Sequence, residues 1–292
     1  MENRDQIWPK KITVDKRIVE ILSGSTYENF PKALKEIITN SYDADALNVH
    51  IEIDEINEVI TVTDNGKGMD EEDFDFYFRI AGRARKKESK TEKGRNRIGK
   101  FGVGFLSVFP FFQHYQLESS KMGQTDTIYA NINCSKYFTS NAELRDVDEI
   151  PIQGGIKHGG DSRSKQFTRV ILTGFTGATS AFFNEKYNIS NRRKTILKYA
   201  PIDRLIGELQ EDLPLSYQDE SLNSLIHSND NINFNVFLND KPLYRNLYAN
   251  HILETQHGDY EQIGSIKFKY FISTDYKTVD PVEGRQFKLR NL

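Results

Sequence analysis

An α+β fold, with a mixed and largely antiparallel sheet carrying helices on one face, is what this sequence predicts, and three observations predict it. Segments of helical and of strand periodicity are interleaved without strict strand–helix–strand alternation. The run Glu58-Val59-Ile60-Thr61-Val62-Thr63 is short, β-branched and alternating, the pattern of a strand with one buried face. The segment that starts at Phe30-Pro31 keeps Ala33, Leu34, Ile37 and Ile38 on one face at helical spacing. With 292 residues, 37% of them apolar, the chain can bury a full core and is long enough for one large domain and part of another.

Taken in order, Arg17-Ile18-Val19-Glu20-Ile21-Leu22 reads as a helix closed by Ser23-Gly24. The helix from Phe30 follows, with Pro31 in its first turn, where the missing N–H costs nothing. Residues 48–53 and the run before Asp64 are strands, and Asp70-Glu71-Glu72-Asp73 is the acidic start of another helix. A glycine-rich stretch then leads into an apolar segment that can be helical as far as Pro110. Strands at Tyr115-Gln116-Leu117-Glu118, at 126–132 and at 168–172 extend the sheet, with a Gly/Ser/Lys-rich loop over 153–165 between the last two. Residues 192–198 are a polar helix candidate before a boundary near Tyr199-Ala200-Pro201. Beyond it, Asn233-Phe234-Asn235-Val236-Phe237-Leu238-Asn239-Asp240-Lys241-Pro242-Leu243 reads as a strand and tight turn, and 263–272 as a further strand. The expected division is a first domain over 1–200 and the beginning of a second β-containing domain over 201–292, so that the chain is a fragment of a longer protein.

A net charge of −3 excludes a generic polyanion binder. Residues 79–100 are nonetheless strongly basic, with Arg83, Arg85, Lys86, Lys87, Lys90, Lys93, Arg95 and Arg97 opposed by Glu88 and Glu92; the segment reads either as a nucleic-acid patch or as a mobile, solvated lid. A single cysteine, Cys134, excludes an intramolecular disulfide framework and a Cys/His zinc site, and fits a reducing compartment. The N-terminus lacks the basic-then-apolar pattern of a signal peptide, and the most apolar stretch, 103–112, is too short to span a bilayer, so a cytoplasmic protein with no membrane partner is expected.

Three stretches carry chemistry. In Asp64-Asn65-Gly66-Lys67-Gly68-Met69 a carboxylate at a strand end runs into two alternate glycines. A carboxylate only accepts hydrogen bonds, and glycines let the backbone approach a ligand closely, which suits a flat base with an exocyclic amine. The same residues also fit a plain Asn-Gly surface turn. In the helix from Phe30, Glu36 and Asn40 lie one turn apart on one side. The carboxamide oxygen of Asn40 is a hard ligand suited to Mg²⁺ and Glu36 can deprotonate a water, although a solvated helix face would also place such a pair there. In Arg97-Ile98-Gly99-Lys100-Phe101-Gly102-Val103-Gly104-Phe105 the glycines leave N–H groups free to converge on phosphate oxygens, or serve as a hinge.

All three in this order make the chain resemble the GHKL superfamily of ATPases, which includes gyrase B subunits, the ninety-kilodalton heat-shock chaperones, sensor histidine kinases and MutL. Glu36-x-x-x-Asn40-x-x-Asp43-Ala44 is similar to the first motif, Asp64-x-Gly66-x-Gly68 to the second, and Ile98-Gly99-Lys100-Phe101-Gly102-Val103-Gly104-Phe105 to the third, in its chaperone version. Thr168, in Phe167-Thr168-Arg169-Val170-Ile171-Leu172, stands where the family has a threonine beside the adenine-binding aspartate. Ile80-Ala81-Gly82-Arg83-Ala84-Arg85-Lys86 resembles the lid of the MORC and MutL-like members, with Arg83 and Ala84 where Ser or Thr is common.

The resemblance implies the Bergerat sandwich, with ATP or ADP and Mg²⁺ as ligands. Asp64 would accept from the adenine amine, with Gly68, Met69 and Thr168 completing the base site. Asn40 would hold Mg²⁺, the backbone of Gly99, Lys100, Phe101, Gly102, Val103, Gly104 and Phe105 would cradle the phosphates, Glu36 would be the general base, and Asp43 would support the pocket through water or a hydrogen bond. A transducer or middle domain follows in the family and lends a basic residue to the γ-phosphate; Lys277, Arg285, Lys288 and Arg290 are the candidates. The expected function is ATP hydrolysis that drives a nucleotide-gated homodimeric clamp, with DNA or a protein client as partner. The alternatives are a nucleotide-sensing module without turnover and a histidine-kinase-type phosphotransferase, the latter disfavoured because Glu36 occupies the general-base position and no dimerisation helix with an acceptor His precedes the domain.

Overall fold

The computed structural model describes residues 6–13, 29–78, 90–99, 104–135, 149–159, 166–184, 187–190, 196–218 and 233–245, and short strand backbones between 256 and 287. The expected helix at 17–22, the lid segment 80–86, the residues Lys100, Phe101, Gly102 and Val103 of the glycine stretch, and Lys277, Arg285, Lys288 and Arg290 lie outside the described residues.

The first helix, α1 (Phe30–Asp43), starts where the Asn29 side chain accepts a hydrogen bond from the Lys32 N–H, with Pro31 in the first turn. It buries Ala33, Leu34, Ile37, Ile38 and Tyr42 on one face. It ends at Ala44, and Asp45 follows with φ 60°, a left-handed conformation that an aspartate tolerates and most residues avoid.

That helix lies on a nine-stranded sheet built from β1 (Gln6–Thr13), β2 (Asn48–Asp54), β3 (Val59–Asp64), β4 (Phe112–Ser120), β5 (Thr127–Asn133), β6 (Glu149–Lys157), β7 (Phe167–Phe175), β10 (Asn235–Leu238) and β11 (Lys241–Leu243). The spatial order is β1-β6-β5-β4-β7-β3-β2-β10-β11, and every pairing is antiparallel except β10 with β2. The alternation read in the sequence follows the pleat: Ile60, Val62 and Asp64 of β3 face inward while their neighbours stay partly exposed. Against the inward face lie α1, a 3₁₀ helix (Gly104–Phe111) and α3 (Gly177–Asn184), and α4 (Pro201–Asp212) packs on α1 and α3. Phe30 of α1 packs on Phe111, Phe112, Phe182 and Phe183, which joins helix and sheet in one aromatic core. The short helix α2 (Glu71–Tyr77) is capped by the Asp70 side chain on the Asp73 N–H, as its acidic start predicts.

Four expectations require correction. Residues 153–157 are not loop: they belong to β6, which pairs with both β1 and β5. The glycines that read as a loop signal serve close packing there, since a Cβ on Gly154 would stand 2.4 Å from the Tyr129 carbonyl oxygen. Pro110 does not end the apolar helix, because that helix is a 3₁₀ helix running through it to Phe111, and in such a short run proline forfeits a single hydrogen bond. Within the helix candidate 192–198, residues Ile196–Tyr199 form strand β9, paired with β8 (Tyr187–Ser190). The long strand expected over 263–272 is divided, with Glu261–Ile263 paired to Ile266–Phe268 and Phe271–Ile272 paired to Gln256–His257.

Past the expected boundary near 200, α4 contributes Leu205 and Leu209 to the core and carries Asp212, which pairs with Lys35 of α1. The strand and tight turn read over 233–243 form the β10–β11 hairpin, with Asn239 and Asp240 both left-handed at the turn.

Candidate functional site

Asp64, at the end of β3, is the register partner of Thr168 on β7, and both are buried. Its carboxylate accepts hydrogen bonds from the Ser41 hydroxyl at 2.7 Å and from the Gly66 N–H at 2.8 Å. Burial pushes its pKa up to about 6, against the lowering effect of those two bonds. The turn that follows folds back on the end of α1: Lys67 donates its N–H to the Ala44 carbonyl at 2.9 Å, and Asn65 Oδ1 accepts from the N–H groups of Leu47 and Asn48. Gly68 has φ +67°, and a Cβ there would stand 2.0 Å from the Ser120 carbonyl oxygen, so only glycine fits. Met69 is partly buried against the core, and its N–H donates to the Ser119 hydroxyl at 2.9 Å. Ser119 in turn lies 3.0 Å from the Thr168 hydroxyl and donates to the Phe167 carbonyl. Thr168, distant in sequence, is thereby brought beside Asp64 and, through Ser119, to Met69.

Glu36 and Asn40 face the start of the 3₁₀ helix. A Cβ on Gly104 would lie 3.2 Å from Glu36 Oε2 and 3.6 Å from Asn40 Nδ2, so the backbone of the glycine stretch approaches both side chains. Burial raises the pKa of Glu36, an effect that neighbouring Lys35 opposes and Asp43 reinforces. Asn40 hydrogen-bonds the Tyr77 hydroxyl, which also meets the Tyr115 hydroxyl at 2.9 Å. Phe105 is 1% exposed and packs on Tyr77, Phe78 and Phe109, so its side chain belongs to the core.

Asp43 accepts the N–H groups of Ile98 and Gly99, one on each carboxylate oxygen, both at 2.9 Å. It holds the backbone that leads into the glycine stretch. Within the basic segment Arg95 is not solvated: it is 5% exposed, and Lys93, Arg95 and Arg97 all donate to backbone carbonyls of residues 42–46. Ser41 and Ser119 escaped the sequence reading. Ser41 sits between Asn40 and Asp43 and could have been found there, whereas nothing distinguishes Ser119 from any inward residue of a strand.

Among the described residues no group of three or more His, Cys, Asp or Glu side chains could hold a metal ion. A single carboxamide oxygen beside a nucleotide's phosphates is enough for Mg²⁺, which keeps most of its waters and takes few protein ligands. Among the same residues no helix is long and apolar enough to cross a membrane.

Comparison with known proteins agrees with this geometry. Residues 27–158 match the family model described as histidine kinase-, DNA gyrase B-, and HSP90-like ATPase. The chain is similar to a putative type II restriction enzyme, HgiDII, of Herpetosiphon aurantiacus, 25% identical over 275 residues that cover 93% of this chain and 37% of the relative. It is similar to the chaperone protein HtpG of Clostridium acetobutylicum, 30% identical over 32% of this chain and 19% of the relative. For HtpG of Nocardia farcinica the identity is 31% over 37% of this chain and 21% of the relative. The chain thus spans between about a fifth and just over a third of the length of these curated relatives.

Proposed function

Residues 27–158 belong to the histidine kinase-, DNA gyrase B- and HSP90-like ATPases, and from that premise we propose that this chain binds Mg-ATP and hydrolyses it as the motor of a nucleotide-gated, homodimeric switch. The observation that carries the reading is that α1 addresses both ends of one site. Ser41 bonds the buried Asp64 at the base end, while Glu36 and Asn40 meet Gly104 at the phosphate end.

Asp64 accepts the exocyclic amine of adenine, and Gly68 and Met69 let the base lie against the backbone. Asn40 offers its carboxamide oxygen to Mg²⁺, which would screen the charge of the phosphates. Glu36, with its pKa raised toward neutrality by burial, takes the proton of the attacking water. By the resemblance, the stretch from Gly99 to Phe105 would cradle the phosphates and Lys100 would add charge, and Asp43 holds Gly99 at the start of that stretch. A basic residue from a second domain completes the γ-phosphate site. For the partner, a restriction-type system is favoured over a chaperone client: the match to the putative restriction enzyme covers 93% of this chain, the chaperone matches 32% and 37%.

Calorimetric titration with ATP and GTP tests the base assignment. GTP presents a carbonyl where adenine presents the amine, so ATP is expected to bind at least about a hundredfold tighter. Equal affinities would contradict the role of Asp64.

A further inference from the structure

The segment 90–99 runs toward the glycine stretch, and a buried cation fastens it. Arg95 Nη1 donates to the carbonyl oxygens of Tyr42 at 3.2 Å and Ala46 at 2.8 Å, and Nη2 donates to the Asn233 carbonyl at 2.7 Å. The guanidinium lies 4.9 Å from the Tyr42 ring centroid and 5.6 Å from that of Phe234, which meet edge to face. Three backbone carbonyls from two separate segments thus converge on one side chain that is 5% exposed. A planar fork of donors can satisfy that geometry and a lysine ammonium cannot.

Around it the segment is closed on itself and on the end of α1. Thr91 and Arg95 exchange hydrogen bonds, with the Thr91 N–H on the Arg95 carbonyl and the Arg95 N–H on the Thr91 hydroxyl. The Thr91 hydroxyl and the Lys93 N–H both donate to the carboxylate of Asp45, and Lys93 Nζ donates to its carbonyl. Asp45 is the residue held at φ 60° just past the helix end. Four residues after Arg95, Gly99 donates to Asp43, which stands on the same helix as Glu36 and Asn40. On the other side, Asn233 stands two residues before strand β10.

We propose that Arg95 is a positioning residue for the phosphate site: it locks the segment 90–99 to the end of α1 and to Asn233, setting Gly99 against Asp43 at the end of the helix that bears Glu36 and Asn40 and coupling nucleotide occupancy to strand β10. The inference rests on the nucleotide-binding reading above and names a mechanical link within it. Arg95 touches no reacting atom.

The test compares wild type with Arg95→Lys, using adenosine and Mg-ATP as separate probes in calorimetry and hydrogen–deuterium exchange of residues 235–238 with and without Mg-ATP. Adenosine reads the base end alone. Arg95→Lys is expected to bind adenosine within about twofold of wild type and Mg-ATP about tenfold or more weakly, because a displaced backbone loses its phosphate contacts. Mg-ATP is expected to slow exchange at 235–238 in wild type and to leave it unchanged in the variant. If Arg95→Lys does not fold, Asp45→Asn, which disturbs the Thr91 and Lys93 bonds and leaves the guanidinium in place, is expected to give the same split between the two probes. A variant that binds both probes as wild type does, or weakens both in equal proportion, overturns the inference and leaves the nucleotide reading intact. A wild type that binds neither probe overturns both.

Discussion

The Ser41 hydroxyl donates to Asp64 Oδ2 across 2.7 Å, and that bond ties the helix bearing Glu36 and Asn40 to the end of strand β3. It is buried, so the distance between the two ends of the site is set by packing and not by a loop.

Replacing the acceptor breaks the base end. Asp64→Asn replaces an acceptor oxygen with an NH₂ donor that faces the donating amine, and is expected to cost about 2 to 4 kcal/mol of ATP affinity. Calorimetry is the check, and an affinity within about threefold of wild type would remove Asp64 from the base site.

The same carboxylate gives a pH dependence. Adenine requires the ionised form, and burial holds the pKa at about 6, so ATP affinity is expected to fall as pH drops through 6 and to level off above 7. Stability without nucleotide moves the other way. The folded pKa lies above the ordinary value of 3.8, so this group's contribution is fully present below 3.8 and lost as pH rises through about 6. Titrations and thermal melts of wild type and Asp64→Asn between pH 5 and 8 separate the two effects, and flat wild-type binding across that range would contradict the acceptor role.

Asn40→Ala is expected to weaken ATP more in the presence of Mg²⁺ than in the presence of a chelator, because the carboxamide oxygen acts through the metal. Titrations under both conditions decide it. Equal weakening would take Asn40 out of the metal site.

How far the sequence reveals this site depends on whether a residue's job shows in its neighbours. The strand before Asp64 and the helix from Phe30 were legible because burial imposes periods of two and of 3.6 on their apolar residues. Glu36, Asn40 and Asp64 could be singled out as candidates from the order of the three motifs taken together, and the contacts that relate them in the fold run through Ser41 and Gly104. Ser119 was not, since its role comes from the register of β4 against β7, which no local pattern encodes. Arg95 was misjudged for a related reason: inside a run of like charges it looks solvated, and its three carbonyl partners become visible only once residues 42–46 and 233 are brought together. Gly154 misled for the opposite reason, a turn-forming residue used for close strand packing.

Hydrolysis driven by Glu36 is tested by single-turnover conversion of Mg-ATP to ADP, compared between wild type and Glu36→Ala. Glu36→Ala is expected to keep ATP affinity nearly intact, because a general base acts in the transition state, and to lose turnover by about a hundredfold or more. A wild-type protein that hydrolyses ATP no faster than Glu36→Ala would contradict the account and leave a nucleotide sensor without turnover in its place.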